Sequence, residues 1–286
     1  VSTPLTYEHY TAHPAGAFYG PPATPLRYAS RPLGPRTAIP GLFLAGQDAG
    51  SLGIMGAMMG GMAAACQVLG SRGKHHAVLT STRRLTPSIR EVELELEGPV
   101  EAWAPGQFAR LHVGDNAWRD YSIAGLDGGV LRLLISTRTG GTGSRFIERA
   151  GTGTRTVVEL PLGRYALRES GRRRVFIATG TGLAPFLAMF RHADDLGNDT
   201  LLFGCRNRGE DLTTLVDAPL PGRVVRCVSR ETAPGLFHGR VTDALRQADV
   251  DLSGADVYLC GSAAMVADCR EILDHAGVAE VLTEPY

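Results

Sequence analysis

The stretch VFIATGTGLAPFLAMF, residues 175–190, has the pattern of a buried strand, a glycine turn and a helix. Gly180 and Gly182 let the backbone turn and approach a ligand, because glycine has no Cβ. Pro185 suits the first helical turn, and the free N–H groups there favour an anion such as a pyrophosphate. Pro185 also breaks the usual dinucleotide fingerprint, and no acid follows at the expected distance. A tight turn without a ligand is the alternative.

Charge balance and cysteine spacing exclude several kinds of site. The 286 residues include 29 Lys and Arg against 29 Asp and Glu, which argues against a dedicated nucleic-acid surface. The cysteines lack iron–sulfur or zinc spacing, so we predict no metal site. They indicate reduced thiols of a cytoplasmic protein. They are Cys66, Cys205, Cys227, Cys260 and Cys269.

The elements that must position such a site fall into two patterns. After a predicted linker at 71–76, short strands separated by Gly and Pro turns run from His75 to about Pro161 and predict an antiparallel β-barrel. A short helix interrupts them at residues 141–150. From Arg172, strands and helices alternate, which predicts a doubly wound parallel sheet of five strands.

These patterns predict three parts of the chain. Residues 75–168 form the barrel domain and residues 171–286 the α/β domain. Residues 1–72 precede them and are rich in Pro, Gly and Ala. The chain starts with Val and has no signal peptide pattern, so we expect a piece of a longer protein.

Seven short motifs along residues 75–286 add a more specific indication. Each is weak alone, but together and in this order they resemble the ferredoxin–NADP reductase family, in particular its bacterial oxygenase-type and flavohaemoprotein-type members. The resemblance implies a barrel that binds FAD and a sheet that binds NAD(P)H. The motifs are PGQF (105–108), RDYS (119–122), GGTGS (140–144), GTGLAP (180–185), FGCR (203–206), CGSAAMV (260–266) and EPY (284–286).

The resemblance assigns flavin contacts to the RDYS motif. It implies that Arg119 neutralises the flavin pyrophosphate, Tyr121 packs on the isoalloxazine, and Ser122 hydrogen-bonds near flavin N5. Arginine suits a diphosphate because its planar fork is always charged. A surface arginine and a core aromatic residue are the alternatives for Arg119 and Tyr121.

A second set of flavin contacts is implied at GGTGS. This motif opens the predicted short helix, so its backbone amides can bind the remaining pyrophosphate oxygens. A plain glycine turn is the alternative. The residues implied are Gly141, Gly143 and Ser144.

On the coenzyme side, the resemblance places the dinucleotide at the first turn described above and beside the strand that ends in Cys-Gly. Ligands of open α/β sheets bind at the carboxyl ends of the strands. The residues implied are Gly180, Thr181, Gly182, Pro185 and Gly261.

Cations near the expected adenosine ribose favour NADPH over NADH. Arg230 follows Ser229 at one strand end, and Arg206 and Arg208 follow a neighbouring strand. No carboxylate is expected beside them to bind two free ribose hydroxyls. NAD is also possible, since the Ser-Arg pair occurs in NADH-using relatives.

The resemblance also implies the groups that surround the atoms exchanging the hydride. They are Ser122, Cys260 and Glu284, with Tyr286 over the isoalloxazine. Cys260 would be a packing group next to the nicotinamide, and an ordinary core cysteine is the alternative. A frayed tail is the alternative for Tyr286.

Residues 1–70 resemble another family, the carotenoid desaturase and retinol saturase flavoproteins, at the C-terminal end of their FAD domain. GLFLAG, residues 41–46, predicts a short buried strand, and the uncharged run after it a helix. The flavin contacts implied are Gly46, Asp48 and Gly56, which cannot complete a site without the absent first part of that fold. A membrane helix is the competing interpretation.

The sequence thus predicts an FAD-dependent NAD(P)H reductase that passes electrons to a redox partner protein or a fused flavin domain. We expect neither a nucleic-acid partner nor a membrane. Direct two-electron reduction of a small acceptor is one alternative, and a non-catalytic docking module with the reductase fold is another.

Overall fold

The computed structural model describes residues 37, 39, 42–46, 53–69, 73–100, 102–247 and 250–285. Contacts within the chain divide it into two units, residues 1–72 and residues 73–286. The second unit contains the barrel and the parallel sheet, and both were predicted.

In the first unit the uncharged run forms helix α1, Gly53–Leu69. The buried strand expected at 41–46 is wrong, because Leu42 and Leu44 are 48% and 44% exposed. Among the described residues 42–46, only Phe43 makes a bridge, and it is isolated. One backbone bridge at Phe43 does not form a sheet that could bury the side chains of Leu42 and Leu44. Gly46 lies at a bend, whereas Asp48 falls outside the described residues. The resemblance to the desaturases stays a prediction.

Within the described residues, no helix has both the length and the apolar character needed to cross a bilayer.

Alternation of apolar and polar residues builds the barrel strands. These are β1 Gly73–Thr86, β2 Ile89–Leu96, β3 Phe108–His112, β4 Trp118–Asp127, β5 Val130–Ser136 and β6 Arg155–Leu162. In β2, Val92, Leu94 and Leu96 are buried while the glutamates between them are not, as the two-residue period of a strand requires. Strand β1 pairs with both β2 and β6, which closes the barrel in the order β1-β2-β5-β4-β3-β6. Helix α2, Thr142–Arg149, follows β5.

The linker predicted at 71–76 is wrong from residue 73 onward. Lys74 and His75 already belong to β1, where they pair with Glu159 and Val158 of β6. Pairing with a strand more than 80 residues away extends β1 beyond its local apolar pattern.

The second half of the unit is a parallel sheet with helices on its faces. Its strands are β7 Arg174–Thr179, β8 Thr200–Cys205, β9 Arg223–Val228, β10 Phe237–His238, β11 Asp256–Gly261 and β12 Glu280–Pro285. Its helices are α3 Ala184–His192, α4 Val241–Gln247 and α5 Ala263–Leu273. The order is β10-β9-β8-β7-β11-β12. The prediction of five strands missed β10, because two residues are too short to show a period.

Barrel and sheet meet through an apolar layer and directed hydrogen bonds. Phe176 of β7 lies in the same buried cluster as Ala124 and Leu134 of the barrel. Arg191 of α3 donates to the carbonyl oxygens of Ala124 at 2.7 Å and Asp217 at 2.6 Å. These contacts hold β4 against α3.

Candidate functional site

Ser122 of the barrel and Glu284 of the sheet meet, although 162 residues separate them in the chain. The Ser122 hydroxyl donates to Glu284 Oε2 at 3.5 Å, a long hydrogen bond. Glu284 lies on β12 beside Cys260 of β11, in parallel register. Three of the residues predicted to surround the reacting atoms therefore converge where β4 faces the carboxyl edge of the sheet.

Gly163 keeps the space beside this group open. Its φ of +88° favours glycine. A Cβ there would approach the Phe108 ring to 2.8 Å and lie 3.8 Å from Glu284 Oε1. The sequence analysis missed Gly163 as a neighbour of Glu284, because only the fold brings the two residues together.

Burial raises the pKa of Glu284 to about 7, with the Ser122 hydrogen bond acting in the opposite direction. A carboxyl group is charged when ionised, and desolvation disfavours that form. Glu284 can therefore hold or release a proton near neutral pH.

Cys260 is completely buried. Burial, and then the nearby Glu284 carboxyl, raises the pKa of its thiol well above the usual value. The thiol stays protonated, and the thiolate is the nucleophilic form. Cys260 therefore fills space beside Glu284, in keeping with a packing group.

A second cluster lies at the start of α2. A Cβ on Gly143 would collide with the Tyr121 hydroxyl and approach Arg119 Cγ to 3.3 Å. The three residues are thus in contact. Gly141 is the N-cap residue of α2, two positions before Gly143. Arg119 donates to the Trp118 carbonyl oxygen at 2.7 Å, and no acidic partner for it occurs in the part of the chain that is described. The cluster presents an available cation at a helix N-terminus.

Tyr121 and Ser144 differ in what they offer an anion. Burial raises the pKa of Tyr121 to about 12, although the charge of Arg119 lowers it, so the phenol remains a neutral donor. The buried Ser144 hydroxyl donates to the Ser136 carbonyl oxygen at 3.2 Å. That bond connects α2 to β5 and uses the hydroxyl proton of Ser144, so the hydroxyl does not donate to an anion. The backbone N–H of Ser144 lies in the first turn of the helix, where it can donate to one.

The two glycines of the GTG turn, Gly180 and Gly182, are required for different reasons, one for backbone conformation and the other for space. Gly180 has a φ of +53°, which glycine adopts without strain. Gly182 is buried, and a Cβ there would collide with the Cys260 carbonyl. Gly261 also has no room for a side chain, since a Cβ there would lie 2.6 Å from Thr179 Oγ1. Pro185 lies in the first turn of α3, as predicted, and is buried.

A cleft of about 520 Å³ opens at the carboxyl edge of the sheet. This volume is within the range of small-molecule sites. Five of the residues predicted to contact the coenzyme line it: Gly180, Thr181, Arg206, Ser229 and Arg230. Four of the predicted site residues do not line the cleft: Gly182, Pro185, Cys260 and Gly261. Gly261 lies beside it, against Thr179 and Met265.

The cleft also contains residues that the sequence analysis missed. Arg240 precedes α4, and Ser262 caps α5 by accepting from the Met265 N–H. Arg138 comes from the loop after β5, and Glu210 from a short 3₁₀ turn after β8. Cys-Gly-Ser after a strand is a signal that could have indicated Ser262; the others carry no local signal.

Glu210 corrects one assumption made from the sequence. No carboxylate was expected near Arg206, yet Glu210 shares its cleft. Its Oε2 accepts from the Arg206 N–H at 3.3 Å, and its Oε1 lies 3.7 Å from Arg138. A carboxylate therefore stands among the arginines.

The predicted role of Tyr286 lies outside the described residues, which end at Pro285. It stays a prediction.

Comparison with known sequences agrees with this architecture. Residues 176–271 match the family model for the oxidoreductase NAD-binding domain. The chain is 32% identical over 209 residues to the ferredoxin–NAD(+) reductase component of the alkene monooxygenase system of Xanthobacter autotrophicus, covering 68% of this chain and 64% of that protein. It is 33% identical over 195 residues to methane monooxygenase component C of Methylosinus trichosporium, covering 62% and 57%. The chain therefore spans less than two thirds of the length of these relatives.

Solved structures show the same fold. A cytochrome P450 reductase of Amycolatopsis superposes with a TM-score of 0.65 at 27% identity, covering 74% of this chain and 69% of that one. A ferredoxin NADP+ reductase from Neisseria gonorrhoeae, solved with bound FAD and NADP, superposes with a TM-score of 0.64 at 19% identity, covering 74% and 98%.

A closed six-stranded barrel joined to a parallel sheet is the architecture that this chain shares with those two structures. With the matching NAD-binding domain model, the chain is similar to reductases of the ferredoxin–NAD(P) type over 68% to 74% of its length.

Proposed function

We propose that this protein is an FAD-dependent NAD(P)H reductase that passes electrons to a redox partner protein or to a fused flavin domain. The observation that carries the proposal is the contact between Ser122 and Glu284. It brings a polar group of the barrel and a carboxyl group of the sheet to one point, as a reaction between two cofactors on separate domains requires. Residues 75–168 would be the flavin domain and residues 171–286 the nucleotide domain.

The cluster at α2 fits the diphosphate of FAD. Arg119 supplies a charge without an acidic partner in the described part of the chain, and the first turn of α2 supplies N–H groups. Gly141 and Gly143 leave the approach free of Cβ atoms, and the contact of Gly143 with Tyr121 shows that this position is too tight for a larger residue. Tyr121 would pack on the ring system.

The cleft at the sheet edge fits a nicotinamide coenzyme. Gly180 and Thr181 line it at the turn before α3, and Ser229 and Arg230 line it at the end of β9. The arginines suit the phosphates, because a guanidinium donates two parallel hydrogen bonds to phosphate oxygens.

When bound, FAD supplies the redox chemistry, since it accepts a hydride from the reduced nicotinamide and releases the electrons onward. The residues of the chain bind, orient and exchange protons. Glu284, with a pKa of about 7, can hold a proton on its carboxyl group and share it with the Ser122 hydroxyl. Cys260 fills the wall beside them and excludes water, since it is completely buried.

Two further proposals concern partner and location. One named relative is the ferredoxin–NAD(+) reductase component of a monooxygenase system and the other is a component of a methane monooxygenase, which supports an oxygenase or a ferredoxin as the electron acceptor. We also propose a cytoplasmic location, since the cysteines of the described residues are free thiols, at 205, 227, 260 and 269, as expected in a reducing compartment.

The colour of the purified protein tests the proposal. We expect a yellow protein whose flavin absorbance bleaches on anaerobic addition of NADPH. Gly143→Val fills the space against Tyr121 and should give a colourless protein. Gly151→Val is the matched control, because nothing lies within 4 Å of a Cβ there, and it should stay yellow. A folded parent that is colourless and does not take up added FAD would support a docking module instead.

A further inference from the structure

An ion pair bridges the barrel and the α/β part of the coenzyme cleft. Arg138 belongs to the loop between β5 and α2, and Glu210 to the 3₁₀ turn Arg208–Glu210. Arg138 Nη2 lies 3.7 Å from Glu210 Oε1, and the two side chains are 44% and 21% exposed. Both residues line the cleft, so the charge of each acts on whatever binds there.

The guanidinium groups of the other arginines that line the cleft form no ion pair within the described ranges; these are Arg206, Arg230 and Arg240. The backbone N–H of Arg240 donates to a further carboxylate, that of Asp243, at 2.8 Å. Asp268 also lines the cleft and is a second carboxylate there. The Glu210 carboxylate is held twice, by Arg138 and by the Arg206 N–H at 3.3 Å. The pairing offsets the negative charge of Glu210 and leaves three guanidinium groups available.

A carboxylate and a guanidinium have opposite effects on coenzyme choice. A free carboxylate near the adenosine ribose binds its hydroxyls and repels a 2′-phosphate, whereas an arginine accommodates that phosphate. We propose that the Arg138–Glu210 pair determines coenzyme preference. With the pair intact, the cleft favours an adenosine ribose that carries a 2′-phosphate, and without Arg138 the exposed Glu210 charge weakens that preference. The inference rests on the proposed function, since it presupposes a coenzyme in this cleft.

Binding of two coenzyme fragments tests the inference without turnover. Adenosine 2′,5′-bisphosphate and adenosine 5′-monophosphate are titrated calorimetrically into the full chain, and the ratio of the two dissociation constants is compared. Arg138→Gln should lower the preference for the bisphosphate about fivefold, and Glu210→Gln should raise it by a similar factor, as expected for one partly exposed charge. The double variant should return to within about twofold of the parent.

Two control variants separate this role from a structural one. Arg138→Lys keeps the charge and should keep the parent ratio. Arg155→Gln breaks another exposed arginine–glutamate pair, with Glu97, away from the cleft, and should leave the ratio unchanged. If both single variants at the Arg138–Glu210 pair leave the ratio unchanged, or shift it in the same direction, the inference is overturned. If the parent binds neither fragment, the proposed function fails, and this inference fails with it.

Discussion

The group around Glu284 and the coenzyme cleft are controlled by different physical effects. Cys260 is fully buried, and the proton affinity of Glu284 comes mainly from desolvation. The cleft is open and lined by arginines, and its electrostatics come from charges that water and salt screen. Changes at the first site should therefore alter proton binding and the chemical step, and changes at the second should alter affinity and selectivity.

The largest expected effect is on stability, and it tests whether burial controls Glu284. Its pKa is raised from 4.5 to about 7 in the fold, so the folded state binds the proton more tightly than the unfolded state. Stability from this group is complete below its unfolded pKa and is lost as pH rises through about 7. The loss should be on the order of 3 kcal/mol.

Urea unfolding of the parent and of Glu284→Gln at about pH 5 and about pH 8 measures this loss. The parent should lose stability between the two values relative to the variant, which cannot ionise there. Equal pH dependence in both proteins would mean that Glu284 is solvated and that the two regions do not differ as described.

The next effect concerns the chemical step. Glu284→Ala removes the proton-holding group and should slow flavin reduction at saturating NADPH about a hundredfold, the lower end for loss of a general acid or base. Stopped-flow absorbance measures the rate. Glu271→Ala, at an exposed position of α5, is the control. A loss of coenzyme affinity with an unchanged reduction rate would mean that Glu284 binds the coenzyme and takes no part in the chemical step.

Arg119, in the cluster at the start of α2, tests whether charge also controls binding of the flavin diphosphate, as it does in the coenzyme cleft. Arg119→Ala should weaken FAD binding roughly ten- to a hundredfold, since a hydrogen bond to a charged group contributes roughly 1.5–3 kcal/mol. Fluorescence titration of the apoprotein with FAD measures it, with Arg84→Ala as a surface control. The difference should shrink in high salt. FAD affinity equal to that of the parent would contradict the assignment of Arg119.

The smallest effect is expected from the N-terminal unit. Deletion of residues 1–72 should leave flavin content and NAD(P)H oxidation nearly unchanged, because the barrel and the sheet close within residues 73–286. Solubility should improve, since Met58, Met59 and Met62 are more than half exposed. Turbidity and flavin content of the truncated protein measure both effects. A large loss of flavin would show that the segment contributes to the reductase.

Local pattern was enough to predict most strands and helices. The alternation in β2 and the strand–turn–helix order at 175–190 are short-range signals, and both appear in the structure. Pattern did not predict that Gly73 and Lys74 extend β1 or that β10 exists, because each depends on a partner strand elsewhere in the chain.

For the site, the sequence alone determined which residues to consider and the order in which they occur. Ser122, Cys260 and Glu284 were all predicted, because the resemblance to the ferredoxin–NADP reductase family implies them. Their contact, and the pKa of Glu284, were decided only by the tertiary structure, because desolvation needs the barrel and the sheet to close over the same carboxyl group. The pairing of Arg138 with Glu210 likewise had no local signal, since a charge acquires its partner by position in space.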